Sequence, residues 1–351
     1  MKKQLLLFAI MLLPIVASAY NAEINGVFYE FDTNTREAVV TFGDTLYTGS
    51  VTIPETVTYN DLTYSVTSIG TSAFTYCSGL TSVIIPNSVD SINTSAFKWC
   101  SSLNSVTIPN SVIYIGYQAF YECTGLTSVS IGNSVASIES FAFCGCSGLS
   151  SITIPNSVTL IGRGAFEKCS SLTSMSVEKG NTVYDSRDNC NAIINIATNT
   201  LVAGCKNTVI PNSVTSIGYL AFFGCSGLTS VTIPNGVSSI GEQAFSWCSS
   251  LRHVYCYAES VPKTGRDVFR HSSVSFATLH VPAASLETYK TTTPWNEFYT
   301  IVAIDPSGVK TLESTQQDTD KQPDGKYMKN GKIIIIKEGK KYDAAGKLSA
   351  F

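Results

Sequence analysis

Charge is scarce in this chain. Asp, Glu, Lys and Arg make up 14% of 351 residues, and the formal net charge is −3. No basic footprint exists of the kind that neutralises a phosphate backbone, which argues against a nucleic-acid partner. Histidine is equally sparse. His253, His271 and His280 are the only three, all in one stretch of the C-terminal half. Neither a P-loop nor a G-x-G-x-x-G turn after a strand is present, so no nucleotide cofactor is implied. The apolar leader from Leu5 to Val16 is interrupted by Pro14 and is too short to span a bilayer comfortably.

That leader follows Lys2 and Lys3 and ends at Ala17-Ser18-Ala19. Basic start, apolar middle and small-residue end read as a secretory signal peptide over residues 1–19. A membrane anchor is the alternative. The mature chain is expected to start at Tyr20, with no transmembrane segment, and to be secreted or held at the cell surface. No Cys follows the cleavage site, so lipoprotein processing is not expected. Charge is unevenly placed: +5 over residues 326–351, −3 over 305–325 and −7 over 20–304.

What the chain has in abundance is repetition. The line SVTSIGTSAFTYCSGLTSVIIPN begins at Ser65 and returns with a 23-residue period from Ser88, Ser111, Ser134 and Ser157, then again from Ser213 and Gly236. A fixed period of this length means stacked supersecondary units. In residues 88–110, Val89, Ile92, Ala96, Phe97, Cys100, Leu103, Val106 and Ile108 are the apolar set. One rung cannot bury them alone; a stack can. Val106 and Ile108 point inward from a short strand, Ser105 and Thr107 point outward, and Pro109 closes it. The Ala96-Phe97 segment reads as one or two helical turns. Gly70, Gly116, Gly162, Gly218 and Gly241 are expected to hold a positive φ.

Eleven cysteines in an exported chain ordinarily suggest disulfides. Here Cys77, Cys100, Cys123, Cys146 and Cys169 recur every 23 residues, as do Cys225 and Cys248. They form one repeat position, so a column of buried thiols is expected. Cys190 and Cys205 lie off the column; a bridge between them stays open.

The line IPNSVTSIGxxAFxxCSGLTSVTIP resembles the leucine-rich repeats of the BspA-like family of bacterial secreted and surface proteins. The resemblance covers residues 65–256. It implies an α/β repeat fold: a curved leucine-rich-repeat solenoid of 23-residue rungs with short strands on the concave face, an N-terminal β cap and a C-terminal cap. It also implies adhesion or protein binding. The caps are placed at residues 20–64 and 257–304. A wider rung over 178–209 carries a hairpin around Thr198-Asn199. Residues 305–325 read as a linker and 326–351 as a small β tail around Ile333–Ile336. The tail is similar to short C-terminal β tails of secreted Bacteroidetes proteins, which implies sorting or attachment.

Chemistry is hard to find. His253 and Cys256 lie three apart, which puts them on opposite faces of a strand and makes a poor metal pair. Asp185, Asp188 and Glu178 gather in the insertion, where a solvated loop is the plain reading. No catalytic, metal or cofactor residue is assigned, and no enzyme is expected. The candidate binding surface is the outward strand face: Ser105, Thr107, Ser128, Ser130, Ser151, Thr153, Ser174, Ser176, Ser230, Thr232, His253 and Tyr255. Trp99, Tyr121, Phe223 and Trp247 are aromatic candidates on the opposite edge. The expected function is binding or adhesion to a macromolecular partner, a protein or a glycan, by a monomer; a structural or glycan-binding envelope protein is the alternative.

Overall fold

A computed structural model describes residues 20–304 and, beyond them, the strands Val309–Thr311, Gly325–Lys329, Lys332–Lys337 and Lys340–Asp343. The leader at 1–19 lies outside the described residues, as does most of the segment read as a linker.

The repeated line folds as a leucine-rich-repeat solenoid in which each rung crosses two parallel β ladders. The first is the expected one. Ser105–Thr107 pairs with Ser128–Ser130, Ser151–Ile154 with Ser174–Val177, and Ser230–Ile233 with His253–Cys256. The second ladder is not evident from the sequence. Ser91–Ile92 pairs with Tyr114–Ile115, which pairs with Ser137–Ile138 and so on to Leu160–Ile161. Two residues are too few to show strand alternation, so this edge reads only as a Val-x-x-Ile spacing. In both ladders, partners within the regular rungs stand one period apart.

The eight apolar positions of residues 88–110 are all at most 3% exposed. Between Ile92 and Cys100 the chain is not helical, contrary to the expectation from its Ala-Phe segment. Ala96, Lys98 and Cys100 N–H bond three residues back within their own rung, to Asn93, Ser95 and Phe97. The alternate N–H groups of Ser95, Phe97 and Trp99 bond outward to Tyr117, Ala119 and Tyr121 of the next rung, at 2.8, 2.7 and 2.8 Å. A helix sends every N–H back along its own segment, so this division of bonds excludes one. It requires left-handed residues at Ser95 (φ 56) and Trp99 (φ 62), and the pattern recurs at Gln118 and Glu122.

The glycines also serve a different purpose from the expected one. Gly70, Gly116, Gly162, Gly218 and Gly241 are not at positive φ. What Gly116 provides is room: a Cβ would stand 2.6 Å from the Asn93 carbonyl carbon and 2.7 Å from the Thr94 nitrogen of the preceding rung. Asn93 occupies the same position one period earlier and turns its amide onto the Ile69 carbonyl at 3.0 Å.

In-register stacking makes rows of identical side chains. Phe74, Phe97, Phe120, Phe143 and Phe166 stack with ring centroids 4.8 to 5.8 Å apart and planes within 7° of parallel. Tyr47 ends the row on the N-terminal side, 4.4 Å from Phe74. A second row runs Phe222, Phe245, Phe269 and ends on Phe298 and Trp295. Beside the first row stands the thiol column. The Cys100, Cys123, Cys146 and Cys169 thiols donate to the carbonyls of Phe74, Phe97, Phe120 and Phe143, at 3.0 to 3.2 Å. None of the eleven cysteines is in a disulfide. Cys190 and Cys205 donate instead to the Ala192 and Asn191 carbonyls.

The two phenylalanine rows are separated by the wide rung. There Ala192–Asn195 and Thr200–Gly204 form an antiparallel hairpin, and no Ala-Phe pair is present to stack on Phe166. The core is correspondingly two blocks. Ile193 and Cys205 belong to the first, Ile194 and Leu201 to the second. At the N-terminal end, Ala22–Ile24, Val27–Asp32 and Glu37–Thr41 form a meander that joins the second ladder through Leu62–Ile69. At the other end, Thr300–Ala303 is the last strand of the first ladder, and Leu286–Thr291 is the one α-helix among the described residues. Val309–Thr311, inside the segment read as a linker, is a strand parallel to Gly325–Lys329 of the tail sheet.

Two outcomes follow from this packing. Phe120→Ala removes a ring stacked on both sides and should cost about 3–5 kcal/mol, read from denaturant unfolding; a loss under about 1 kcal/mol would contradict the stacked row. Burial holds the thiols of Cys123, Cys146 and Cys169 above their ordinary range. Native protein should therefore resist a bulky maleimide at these positions and react fully once denatured, and equal labelling of native and denatured chain would contradict the buried column.

Candidate functional site

The residues singled out on the strand face sit where strand alternation puts them. Ser105, Thr107, Ser128, Ser130, Ser151, Thr153, Ser174, Ser230 and Thr232 are exposed; Ser176, His253 and Tyr255 are half-buried. The register brings them into rows. Ser105 lies opposite Ser128 and Thr107 opposite Ser130; Thr153 and Ser176 share a hydroxyl hydrogen bond at 3.0 Å. The structure does not make these rows continuous. The wide rung intervenes between Ser176 and Thr232, and Val209, one period before Thr232, is 70% exposed.

A groove runs along the N-terminal part of this face, over Ser82, Ile84, Ser105, Thr107 and Ser130, and reaches Glu178. Ile84 is 58% exposed and stands one period before Thr107, at a position where the other regular rungs carry a hydroxyl and the wide rung carries Val209. Its signal lay in the repeat alignment, as a break in the Ser/Thr rule. The groove thus offers hydroxyls, the amides of Asn87, Asn110 and Asn133, one exposed aliphatic side chain and one carboxylate. That set can contact a polar surface by hydrogen bonds but holds no nucleophile with an adjacent base.

The C-terminal end of the same face differs. His253 and Tyr255 stand on one strand, and His280 on the next, opposite Tyr255. The Tyr255 and His280 rings stack at 4.2 Å, 14° from parallel. His253 Nδ1 and His280 Nε2 are 3.3 Å apart. Burial, and then the neighbouring His253, pull His280 down to about 4, so it is a neutral imidazole at neutral pH. The pairing of His280 with His253 is not visible in the repeat, because His280 lies 27 residues after His253, off the repeat period. Cys256, the residue weighed against His253 there, is buried in the core.

On the turn side, Trp99 stacks on Tyr76 at 4.3 Å and meets Tyr121 edge-on, with Lys98 Nζ 4.2 Å above its ring. Trp247 lies against His271. These rings pack on their neighbours in adjacent rungs. In the wide rung, Asp185 is held by Arg187 at 2.9 Å, and Arg187 reaches on to Asn199 at 2.8 Å. Among the described residues, no group of three or more His, Cys, Asp or Glu is placed to hold a metal ion.

The most perturbed carboxyl group is Glu167. It lies in the crevice where the phenylalanine row breaks, among Gly164, Phe166, Val202, Gly204, Leu220 and Phe223. It is 7% exposed, and its Oε1 has no hydrogen-bond partner. Burial raises its pKa to about 7, against the opposing pull of Lys168. No second carboxylate lines the crevice, so the paired-acid arrangement of a glycosidase is not assembled there.

A family model described as the BspA type leucine rich repeat region matches in six copies over residues 67–193 and 201–292. Among solved structures, a leucine-rich repeat protein from Bacteroides ovatus is 26% identical, with a TM-score of 0.56 over 81% of this chain and 77% of that one. A leucine rich cell surface protein from Faecalibacterium prausnitzii is 22% identical, with a TM-score of 0.50 over 82% and 95%. The pneumococcal vaccine antigen PcpA is 18% identical, with a TM-score of 0.58 over 85% and 88%. The last two likenesses concern the fold alone. No curated protein matches.

Glu167 generates a pH prediction. Its folded pKa lies above its unfolded value, so the folded state binds the extra proton. The penalty is absent below about pH 4.5, grows as pH rises, and is complete above about 7. At 1.36 kcal/mol per unit it amounts to about 3 kcal/mol. Glu167→Gln should therefore melt higher than wild type at pH 8 and close to it at pH 4.5. A variant that melts lower than wild type at pH 8 would contradict the buried, unpaired carboxylate.

Proposed function

The chain belongs to the BspA-type leucine-rich repeat family, and from that premise we propose that it is an exported protein, secreted or at the cell surface, that binds a protein partner through the outward face of its longer strands. The observation that carries the reading is the groove of Ser82, Ile84, Ser105, Thr107 and Ser130. Here hydroxyls surround an exposed aliphatic side chain, Ile84. Hydroxyl rows alone satisfy a partner's polar groups with little discrimination; an apolar contact inside a polar rim is the arrangement of an interface core. The sequence of the leader supports export, and among the described residues no helix is long and apolar enough to cross a membrane.

The test uses the immobilised protein with extracts of host and envelope proteins, and in parallel a glycan array. Thr107→Arg with Ser130→Arg places two long charged side chains across the groove without touching the core. Any captured protein should bind at least tenfold more weakly to this double variant and with unchanged affinity to Trp99→Ala. The reverse ranking would move the interface to the turn side, and signal on the glycan array alone would replace a protein partner with a glycan.

A further inference from the structure

The histidine pair at the C-terminal end of the strand face has a geometry of its own. Val254 and Cys256 point into the core from one strand, and Leu279 and Val281 from the next, all fully buried. That fixes His253, Tyr255 and His280 on the outer face of a rigid sheet. The two imidazoles meet diagonally across adjacent parallel strands, with Nδ1 of one 3.3 Å from Nε2 of the other. A tetrahedral ion with metal–nitrogen bonds of about 2.0–2.1 Å separates two of its nitrogen ligands by about 3.3–3.4 Å. The observed spacing is that of a long hydrogen bond and equally that of a coordinated pair. Tyr255, stacked on His280 at 4.2 Å, sets the plane of that ring and thereby the direction of its lone pair.

We propose that His253 Nδ1 and His280 Nε2 form an open two-histidine site for a late first-row divalent cation of the Zn2+ class. Imidazole nitrogen suits Zn2+, Cu2+ and Ni2+, whereas Mg2+ and Ca2+ require oxygen donors. Without metal, a proton on one of the facing nitrogens serves a hydrogen bond to the other. On metal binding that proton moves to the distal nitrogen of its own ring, so both facing lone pairs are free and no proton is released. The ion links strand His253–Cys256 to strand Thr278–Val281. Two protein donors leave the remaining coordination positions to water or to a donor on whatever molecule lies against the face. The site does not depend on the groove described above, which lies on earlier rungs.

The experiment is calorimetric titration of the full-length protein, freed of metal by chelator, with ZnCl2, using MgCl2 as the control cation. One saturable Zn2+ per chain is expected, with no response to Mg2+. His253→Asn and His280→Asn should each weaken binding at least tenfold, while His271→Asn leaves it unchanged. Nitrogen-15 imidazole shifts of the wild-type protein supply a readout independent of any variant: zinc should move the resonances of His253 Nδ1 and His280 Nε2 to metal-bound positions. Zn2+ binding that survives both Asn variants, or imidazole shifts that do not respond to saturating zinc, would overturn the site and leave a simple histidine–histidine hydrogen bond.

Discussion

The backbone hydrogen bond from one rung to the same position of the next is the constraint on which the other features rest. Each regular rung gives and receives these bonds at three places: the two parallel ladders and the turn segment, where Phe97 N–H reaches the Ala119 carbonyl and Phe120 N–H reaches that of Ala142. Once rungs are tied in register at every corner, each residue lies directly above its own repeat. Apolar residues then gain from being identical, since a flat ring stacks best on another in the same orientation. The same geometry accounts for cysteine next to the phenylalanine row. The position is fully buried at Cys100, Cys123 and Cys146, and a thiol is small, readily buried and able to donate to the Phe carbonyl one rung away.

The consequence of interrupting the pattern is visible at the wide rung. Turn-side bonding across it is reduced to Lys168 N–H on the Phe223 carbonyl at 3.0 Å and Gly204 N–H on the Ala221 carbonyl at 2.8 Å. Phe166 loses the ring that would cover it, and a crevice opens. Glu167 sits there without a hydrogen-bond partner for Oε1, and desolvation without compensation is what lifts its pKa. The two core blocks meet across a hairpin whose successive residues, Ile193 and Ile194, serve opposite sides. The interruption therefore costs stability locally while the longer strands on either side keep their outward face.

Much of this was legible in the repeat itself. Period, inward set, buried thiols and outward hydroxyls all follow from aligning the rungs, because a position that must satisfy the same environment seven times shows its requirement seven times. The failures have a common physical origin in contacts between rungs rather than within one. Ser91–Ile92 is a strand only because its neighbours pair with it. Gly116 is explained by the backbone of Asn93 and Thr94 in the previous rung, not by its own φ. The Ala-Phe turn looks helical by composition, yet half of its N–H groups are claimed by the next rung. His280 falls beside His253 only because the last rungs are longer than the regular period, a shift that no alignment of the regular repeats reveals.

The face that remains outside this network is therefore free to vary, and departures from the hydroxyl rule at Ile84, at Val209 and at the histidine pair mark where it has done so. The account stands on the whole rung being the unit of structure. Excising residues 111–133 joins Asn110 to Ser134 and recreates the normal Asn-Ser junction with every ladder in register; excising 111–122 removes half a rung and puts the rungs on either side of the junction out of register. Thermal unfolding followed by circular dichroism should show the first deletion folding cooperatively, with a modestly lower Tm, and the second losing its cooperative transition. Equal loss of folding in both deletions would contradict register between rungs as the source of the fold.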